Sequence, residues 1–506
     1  MNILLPIRRN AQAFPDRTAL LADGTEITYG QLLRLTALAA ARLVEAGVSR
    51  GDSVALSIAR PAQYLIAALA VARLGATVTP FDVGWPAQLS DLVLSRHKVR
   101  TLIRDVGEAW RHPSLAEDRY VAVKDLLAPA PAGAALKIPE VATDVGSEPW
   151  ALMLSSGTTG RRKSIPQSHD RAVLMACLPN TTFAPADLSR VLVFASPHLS
   201  MAMSVIMQQL VGARTVLLES VRTPEQFFSV VARDRPTHVA LSTGNATRLA
   251  AYAARLVPDS RSKCESLRGI TISGSAASPA LRAQIQEHIC PNLEIGYGST
   301  EAGSVALANS QTLAQRPDSA GLLRPWVEME AVDDQGRPVP AGQTGVLRIR
   351  SPLVVAGYLD DVQSNAKAFR DGWYYPGDTG QVDKAGYVTL TGRSDELLNL
   401  GGDKIDPFMI EAVLDAQPGV QESVVVAVSG EGGRPLLIAL VVTDGDLNEQ
   451  ALKQACVERL GPRYVPRRIR RTESIPRNAG GKIMRKEIAE RIANMGPGAA
   501  SPAQEA

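Results

Sequence analysis

Leu154-Ser155-Ser156-Gly157-Thr158-Thr159-Gly160-Arg161-Arg162-Lys163 is a loop of small residues and hydroxyls that ends in a cation. It follows Trp150-Ala151-Leu152-Met153-Leu154, an apolar run that reads as a buried strand. Gly157 and Gly160 let backbone N–H groups come close to a ligand. The hydroxyls of Ser155, Ser156, Thr158 and Thr159 add donors and Lys163 adds charge, which is the equipment for holding a polyphosphate. It is not a Walker A loop, because that motif needs a glycine directly before the lysine and Arg162 stands there. A polar surface turn would have the same composition, so the surrounding chain has to decide.

On both sides strand signals alternate with helix signals. Before the loop, Thr18–Ala22, Asp52–Ile58 and Ala76–Pro80 read as strands, and Gln31–Glu45 and Tyr64–Leu74 as helices stopped by Gly47 and Gly75. Beyond it, Val191–Ala195, Thr215–Glu219, His238–Ser242 and Gly269–Ser273 read as strands, with helices at Thr223–Arg233 and Pro279–His288. This alternation predicts α/β layers with a parallel sheet. The Pro/Ala-rich stretch Ala128–Gly146 reads as a surface connection. After Gly303, Glu328–Val332 with Thr344–Arg350, and Gln381–Asp383 with Tyr387–Leu390, suggest hairpins and a smaller β-rich subdomain. Residues 396–494 then combine helices Pro407–Ala416 and Leu447–Arg459 with strands Glu422–Val428 and Leu436–Val442, an α+β unit the size of a small domain. The expected organisation is a large domain over 1–394, a boundary at 395, a small domain over 396–494 and a disordered tail over 495–506.

A chain of 506 residues is long enough for about three domains. A net charge of +3 points neither to nucleic acid nor to an acidic tail. Cys177, Cys264, Cys290 and Cys456 form no CxxC and no metal spacing, which fits buried thiols in a reducing cytosol. The first residues have no secretory pattern, and the apolar runs are broken well short of a membrane span. A soluble, cytoplasmic protein is expected.

Further stretches carry chemistry. Tyr297-Gly298-Ser299-Thr300-Glu301-Ala302-Gly303 places an aromatic beside a glycine, suited to covering a purine, and a Thr-Glu pair suited to Mg²⁺ and phosphate oxygens. Gly377-Asp378-Thr379-Gly380 offers a carboxylate for ribose hydroxyls, with the guanidinium of Arg393 nearby in sequence. Pro476-Arg477-Asn478-Ala479-Gly480-Gly481-Lys482 is a glycine-tipped loop that can carry a cation into a cleft. Each alone is compatible with an ordinary turn or a solvated side chain.

Together, and in this order, they resemble the adenylate-forming superfamily of acyl- and aryl-CoA synthetases, luciferases and adenylation domains. The resemblance runs from about Pro6 to Ile492 and implies a large N-terminal domain of layered α/β subdomains plus a β-rich subdomain, with a small mobile α+β C-terminal domain. It implies that Ser155–Gly160 and Lys163 hold the ATP phosphates, and that Thr300 and Glu301 contact phosphate and Mg²⁺. By the same resemblance Gly274, Ser275, Ala276, Tyr297, Gly298 and Ser299 lie along the nucleotide, Asp378 and Arg393 bind ribose, and Lys482 stabilises charge during adenylation. Asp395 is then the hinge, and Gly401 and Gly402 line a tunnel for a pantetheine thiol. His198 resembles the histidine that acyl-CoA synthetases carry after a proline. Phe194, His198, Leu199, Met201 and Met203 are expected to line the acid's pocket, and no acidic residue from Leu192 to Leu210 could pair an α-amino group. The implied reaction joins an apolar aliphatic or aryl acid to AMP and passes it to CoA, with ATP and CoA as co-substrates. The alternatives are transfer to the phosphopantetheine of a carrier protein, or an inactive adenylate-binding partner protein.

Overall fold

The computed structural model describes residues 1–81, 85, 87–105, 111–112, 115–129, 136–154, 163–178, 189–221, 223–256, 259–394, 398–400, 403–405, 407–429, 435–443, 445, 448–477 and 483–494. Helix Pro61–Arg73 lies at its centre. Its sequence, PAQYLIAALAVAR, is apolar on every side, and Tyr64–Arg73 are all buried. A helix of that kind belongs inside a protein, and this one packs between two sheets.

In the first sheet, strands Tyr120–Ala122, Val99–Arg104, Ser53–Ser57, Thr77–Pro80 and Pro149–Leu154 lie side by side and parallel, and Ser164–Ser168 adds antiparallel at the edge. In the second, Thr18–Ala22, Thr215–Leu217, Arg190–Phe194, His238–Ser242, Gly269–Ser273 and Leu293–Ser299 run parallel in that order, with Leu20 opposite Val216. Strands covered on both faces read as apolar runs rather than alternations; all five residues of His238–Ser242 are buried. One core joins Val54 and Val78 of the first sheet to Leu20, Val193 and Val216 of the second through the central helix.

The β-rich region expected after Gly303 is present, hydrogen-bonded to the parallel strands as one sheet. Leu293–Ser299 turns back into Gly303–Asn309, and Ser319–Leu323, Tyr387–Arg393, Asp378–Val382 and Gly345–Arg350 follow antiparallel. The small C-terminal domain is built on strands Val420–Ser429, Pro435–Thr443 and Arg468–Arg471 with helices Pro407–Asp415, Glu449–Leu460 and Arg485–Asn494. It meets the large domain where Ser278 Oγ donates to Gln421 O at 2.8 Å and Arg477 Nη1 donates to Ser275 Oγ at 3.0 Å.

Helices that the sequence reading did not name include Leu4–Ala13, Ala87–Arg96, His169–Cys177, Ser200–Val211, Thr243–Ala253 and Arg485–Asn494. The stretch expected to run over the surface before residue 146 is partly tied down: Val141 and Val145 are buried, and Ala142 N–H donates to Arg73 O at 2.9 Å. All four cysteines are free thiols, but Cys177 is exposed rather than buried. Among the described residues no helix is long and apolar enough to cross a membrane.

Candidate active site

The turn Ser299–Gly303 lies at the carboxyl end of a parallel strand, where open α/β sheets bind ligands. Its tightness depends on two glycines. Gly303 has φ +70°, and a Cβ on Gly298 would stand 2.1 Å from Gly303 O. Within the turn Glu301 is buried, and its Oε1 accepts a hydrogen bond of 3.0 Å from the Tyr358 hydroxyl. The Nζ of Lys163, at the end of the hydroxyl-rich loop, sits 4.5 Å from the centroid of the same Tyr358 ring. Burial, and then the Glu301 charge, push the Tyr358 phenol far above its usual range, so it keeps its proton and donates. A lysine, a carboxylate and a phenol thus meet, from segments far apart in sequence.

A second cluster grows from the same strand. Tyr297 donates its hydroxyl to Asp378 Oδ2 at 2.5 Å, while Arg393 Nη1 donates to Asp378 Oδ1 at 2.8 Å. Asp378 and Arg393 face each other because their strands pair in that register. Burial and the neighbouring Asp378 drive the Tyr297 phenol well above its normal pKa, which keeps it a donor. Both carboxylate oxygens are therefore held in a fixed orientation.

Next along the sheet, Gly274 has φ +107°, Ser275 O accepts from Thr243 Oγ1 at 2.8 Å, and Ala276 lines the cleft toward Gln421 and Glu422 of the small domain. Arg477 reaches Ser275 from that domain while paired to Glu422. This brings Arg477, just before the Lys482 loop in sequence, up to the segment expected to lie along the nucleotide.

Beside the Thr300 turn, strand Pro149–Leu154 and helices His169–Cys177 and Ser200–Val211 border a narrow chamber, with room for about one water, lined by Trp150, Met153, Met175, Met203, Met207 and Gln167, among others. None of its described lining residues is charged. Gln167 Nε2 donates to Thr300 O at 3.4 Å, and a Cβ on Gly303 would lie 3.4 Å from Met175 Sδ, so the chamber abuts the turn. Of the residues expected along the acid, Met203 lines this chamber. Phe194 does not: its ring packs on Phe227 with centroids 5.5 Å apart, in a core on the other face of its strand from Val193. Leu199 packs partly against the central core, and Met201 is half-buried outside the chamber lining. His198 stands at the entry to its helix with Nδ1 2.8 Å from Ser196 Oγ.

Ser155, Ser156, Gly157, Thr158, Thr159, Gly160, Asp395, Gly401, Gly402 and Lys482 lie outside the described residues. Tyr358, Gln167 and Arg171 were not foreseen. The Arg171 guanidinium binds the carbonyls of Thr300 and Glu301 from behind. Its one signal in the sequence is a charge followed by Ala172-Val173-Leu174-Met175-Ala176, where a solvated arginine is the ordinary reading.

Residues 7–359 match the AMP-binding enzyme family and residues 409–482 match the AMP-binding enzyme C-terminal domain. The chain is 29% identical to an oxalate–CoA ligase from Arabidopsis thaliana, covering 95% of this chain and 96% of that one. It is equally 29% identical to a feruloyl-CoA synthase from an Amycolatopsis species, with 96% and 98% covered. Its fold is similar to that of the O-succinylbenzoate coenzyme A synthetase of Bacillus subtilis in complex with ATP and magnesium ion, with a TM-score of 0.81 at 22% identity over 95% of this chain and 98% of that one. The family match over most of its length, on a fold that gathers lysine, glutamate and aspartate–arginine clusters at the strand ends, means that the chain belongs to the AMP-binding enzyme family and is an adenylate-forming ligase.

Proposed function

We propose that the protein activates an apolar aliphatic or aryl carboxylic acid with ATP and transfers the acyl group to CoA. The observation that carries this reading is the pair of clusters on one strand and its turn. Tyr297 with Asp378 and Arg393 suits a ribose, and Glu301 with Tyr358 and Lys163 suits the phosphates beside it. A carboxylate carbon is poorly electrophilic, and joining it to AMP supplies a leaving group that a thiol can displace. The chain must align the carboxylate with the α-phosphate and neutralise developing charge. Lys163 and the loop 155–160 take the β- and γ-phosphates, Gly274–Ala276 and Tyr297 flank the base, and Asp378 and Arg393 fix the ribose. Lys482 approaches the reacting carboxylate.

The donors around Glu301 fit Mg²⁺. Among the described residues no group of three or more His, Cys, Asp or Glu is placed to hold a metal. One buried carboxylate whose Oε1 is oriented by Tyr358 suits a hard cation that shares phosphate oxygens. Bound there by Glu301 and Thr300, Mg²⁺ would offset phosphate charge.

For the second half-reaction the domain over 396–494 turns about Asp395, withdrawing Lys482 and bringing Gly401 and Gly402 to the thiol. The methionines of the chamber, with no charged side chain among its described lining residues, favour an apolar acid. Pyrophosphate release across aliphatic acids, aryl acids and α-amino acids, with and without CoA, tests the proposal. Release with the first two classes, and CoA-dependent formation of a thioester, are expected. Activation of α-amino acids alone would overturn the reading of the chamber.

A further inference from the structure

We propose that Arg171 is a positioning residue that sets the Thr300–Glu301 turn in the geometry that receives Mg·ATP. This rests on the reading above that Glu301 faces the metal and phosphates. Arg171 is 7% exposed on helix His169–Cys177. Its Nε donates to Leu353 O and its Nη1 to Gln167 Oε1. Its Nη2 donates to Thr300 O at 3.0 Å and reaches Glu301 O at 3.4 Å. Gln167 Nε2 adds a donor to Thr300 O at 3.4 Å, and Val355 N–H donates to Glu301 O at 2.9 Å.

One guanidinium therefore spans a helix, a strand, the Leu353 loop and the turn. The two peptide carbonyls of the turn are drawn inward, and the Glu301 carboxylate is left to meet Tyr358. A planar fork with donors in several directions can do this, whereas a lysine, a point charge on a flexible stem, cannot hold all four acceptors. Arg171 lies below the turn, touching neither Asp378 nor the Tyr358 hydroxyl among the described contacts, so its effect on ligand passes through Glu301 and Thr300. Burial lowers its pKa to about 10, with Glu301 pulling the other way, so it remains a cation at neutral pH.

The test compares the parent with Arg171→Met, Arg171→Lys and Gln167→Leu as full chains, measuring by calorimetry the affinity for ATP with Mg²⁺ and with EDTA, together with Tm. Loss of an outer partner of a metal-binding carboxylate costs about 10–100-fold in metal affinity. Arg171→Met is expected to weaken Mg·ATP in that range while changing metal-free ATP less than about threefold, Arg171→Lys to recover Tm without recovering Mg·ATP, and Gln167→Leu to shift Mg·ATP in the same direction by a smaller factor. Full recovery by Arg171→Lys would show that charge alone matters and overturn the proposal. So would equal weakening of both forms of ATP, or an unchanged Mg·ATP affinity in folded Arg171→Met. If Arg171→Met does not fold, Gln167→Leu decides by the same comparison. A parent that binds ATP equally with and without Mg²⁺ would instead refute the metal seat at Glu301, and this proposal with it.

Discussion

Met203 is 3% exposed and faces the chamber next to Met175, Met153 and Met207. Met203→Ala removes the side chain beyond Cβ, a volume of roughly three methylenes, and the space opens into the chamber. If the acid's tail occupies it, each added methylene gains about 0.8 kcal/mol, or about fourfold in kcat/KM, until the new space fills. The variant should therefore prefer acids up to roughly three carbons longer than the parent's best, by up to about 60-fold for the longest. The same truncation should lower stability by about 2–5 kcal/mol, so the assay must run well below the lowered Tm. Pyrophosphate release over a homologous series of straight-chain and ω-phenyl acids gives both optima, and Met203→Trp should move the optimum to shorter acids. An identical length profile in all three proteins would show that the acid does not enter this chamber.

Lys482→Ala should lose about 10²–10³ in acyl-adenylate formation yet keep thioester formation from supplied acyl-adenylate; equal loss in both half-reactions would remove the assigned division of labour. Asp378→Asn weakens a charged acceptor that Arg393 and Tyr297 hold in place, and should raise the KM for ATP by about 10–100-fold with little change in the KM for the acid. Asp415 ends helix Pro407–Asp415, and burial raises its pKa from 3.8 to about 7 against the opposing hydrogen bonds of Ser423. The folded chain keeps this proton up to about pH 7 while the unfolded chain releases it from pH 3.8, so this carboxyl costs stability increasingly as pH rises between those values. The Tm advantage of Asp415→Asn over the parent should widen from pH 5 to pH 8, and a pH-independent difference would refute it.

Elements with clean local signals lie where the residues indicate. Helix Pro279–His288 is bounded by the Ser278 cap and by Pro279 at its first position, and strand Gly269–Ser273 precedes it, both over the spans read from sequence. Helix Ser200–Val211 escaped notice because SMAMSVIMQQLV presents apolar residues nearly all round and gives no periodicity. Tyr358 and Arg171 could not be read locally. Their partners in the Thr300–Glu301 turn lie 57 and 129 or more residues away in sequence, and only the tertiary fold brings them together. Phe194 and Val193 show the same limit at short range, since which alternate side chain faces the ligand depends on the layer each face packs against.

The pairing of Leu20 with Val216 has a consequence for how the chain is made. Strand Thr18–Ala22 is synthesised before its parallel neighbour Thr215–Leu217, which follows nearly two hundred residues later. At about 5–20 residues per second the first strand waits on the order of 10–40 s for its partner. During that time the first sheet can assemble, since its strands all lie between Ser53 and Ser168. Helix Pro61–Arg73 must keep one apolar face uncovered until the second sheet arrives. The nascent chain is thus most exposed to aggregation while residues 170–217 are being synthesised, and slow codons or starvation in that interval would lower the yield of folded protein more than the same pause after Ser299.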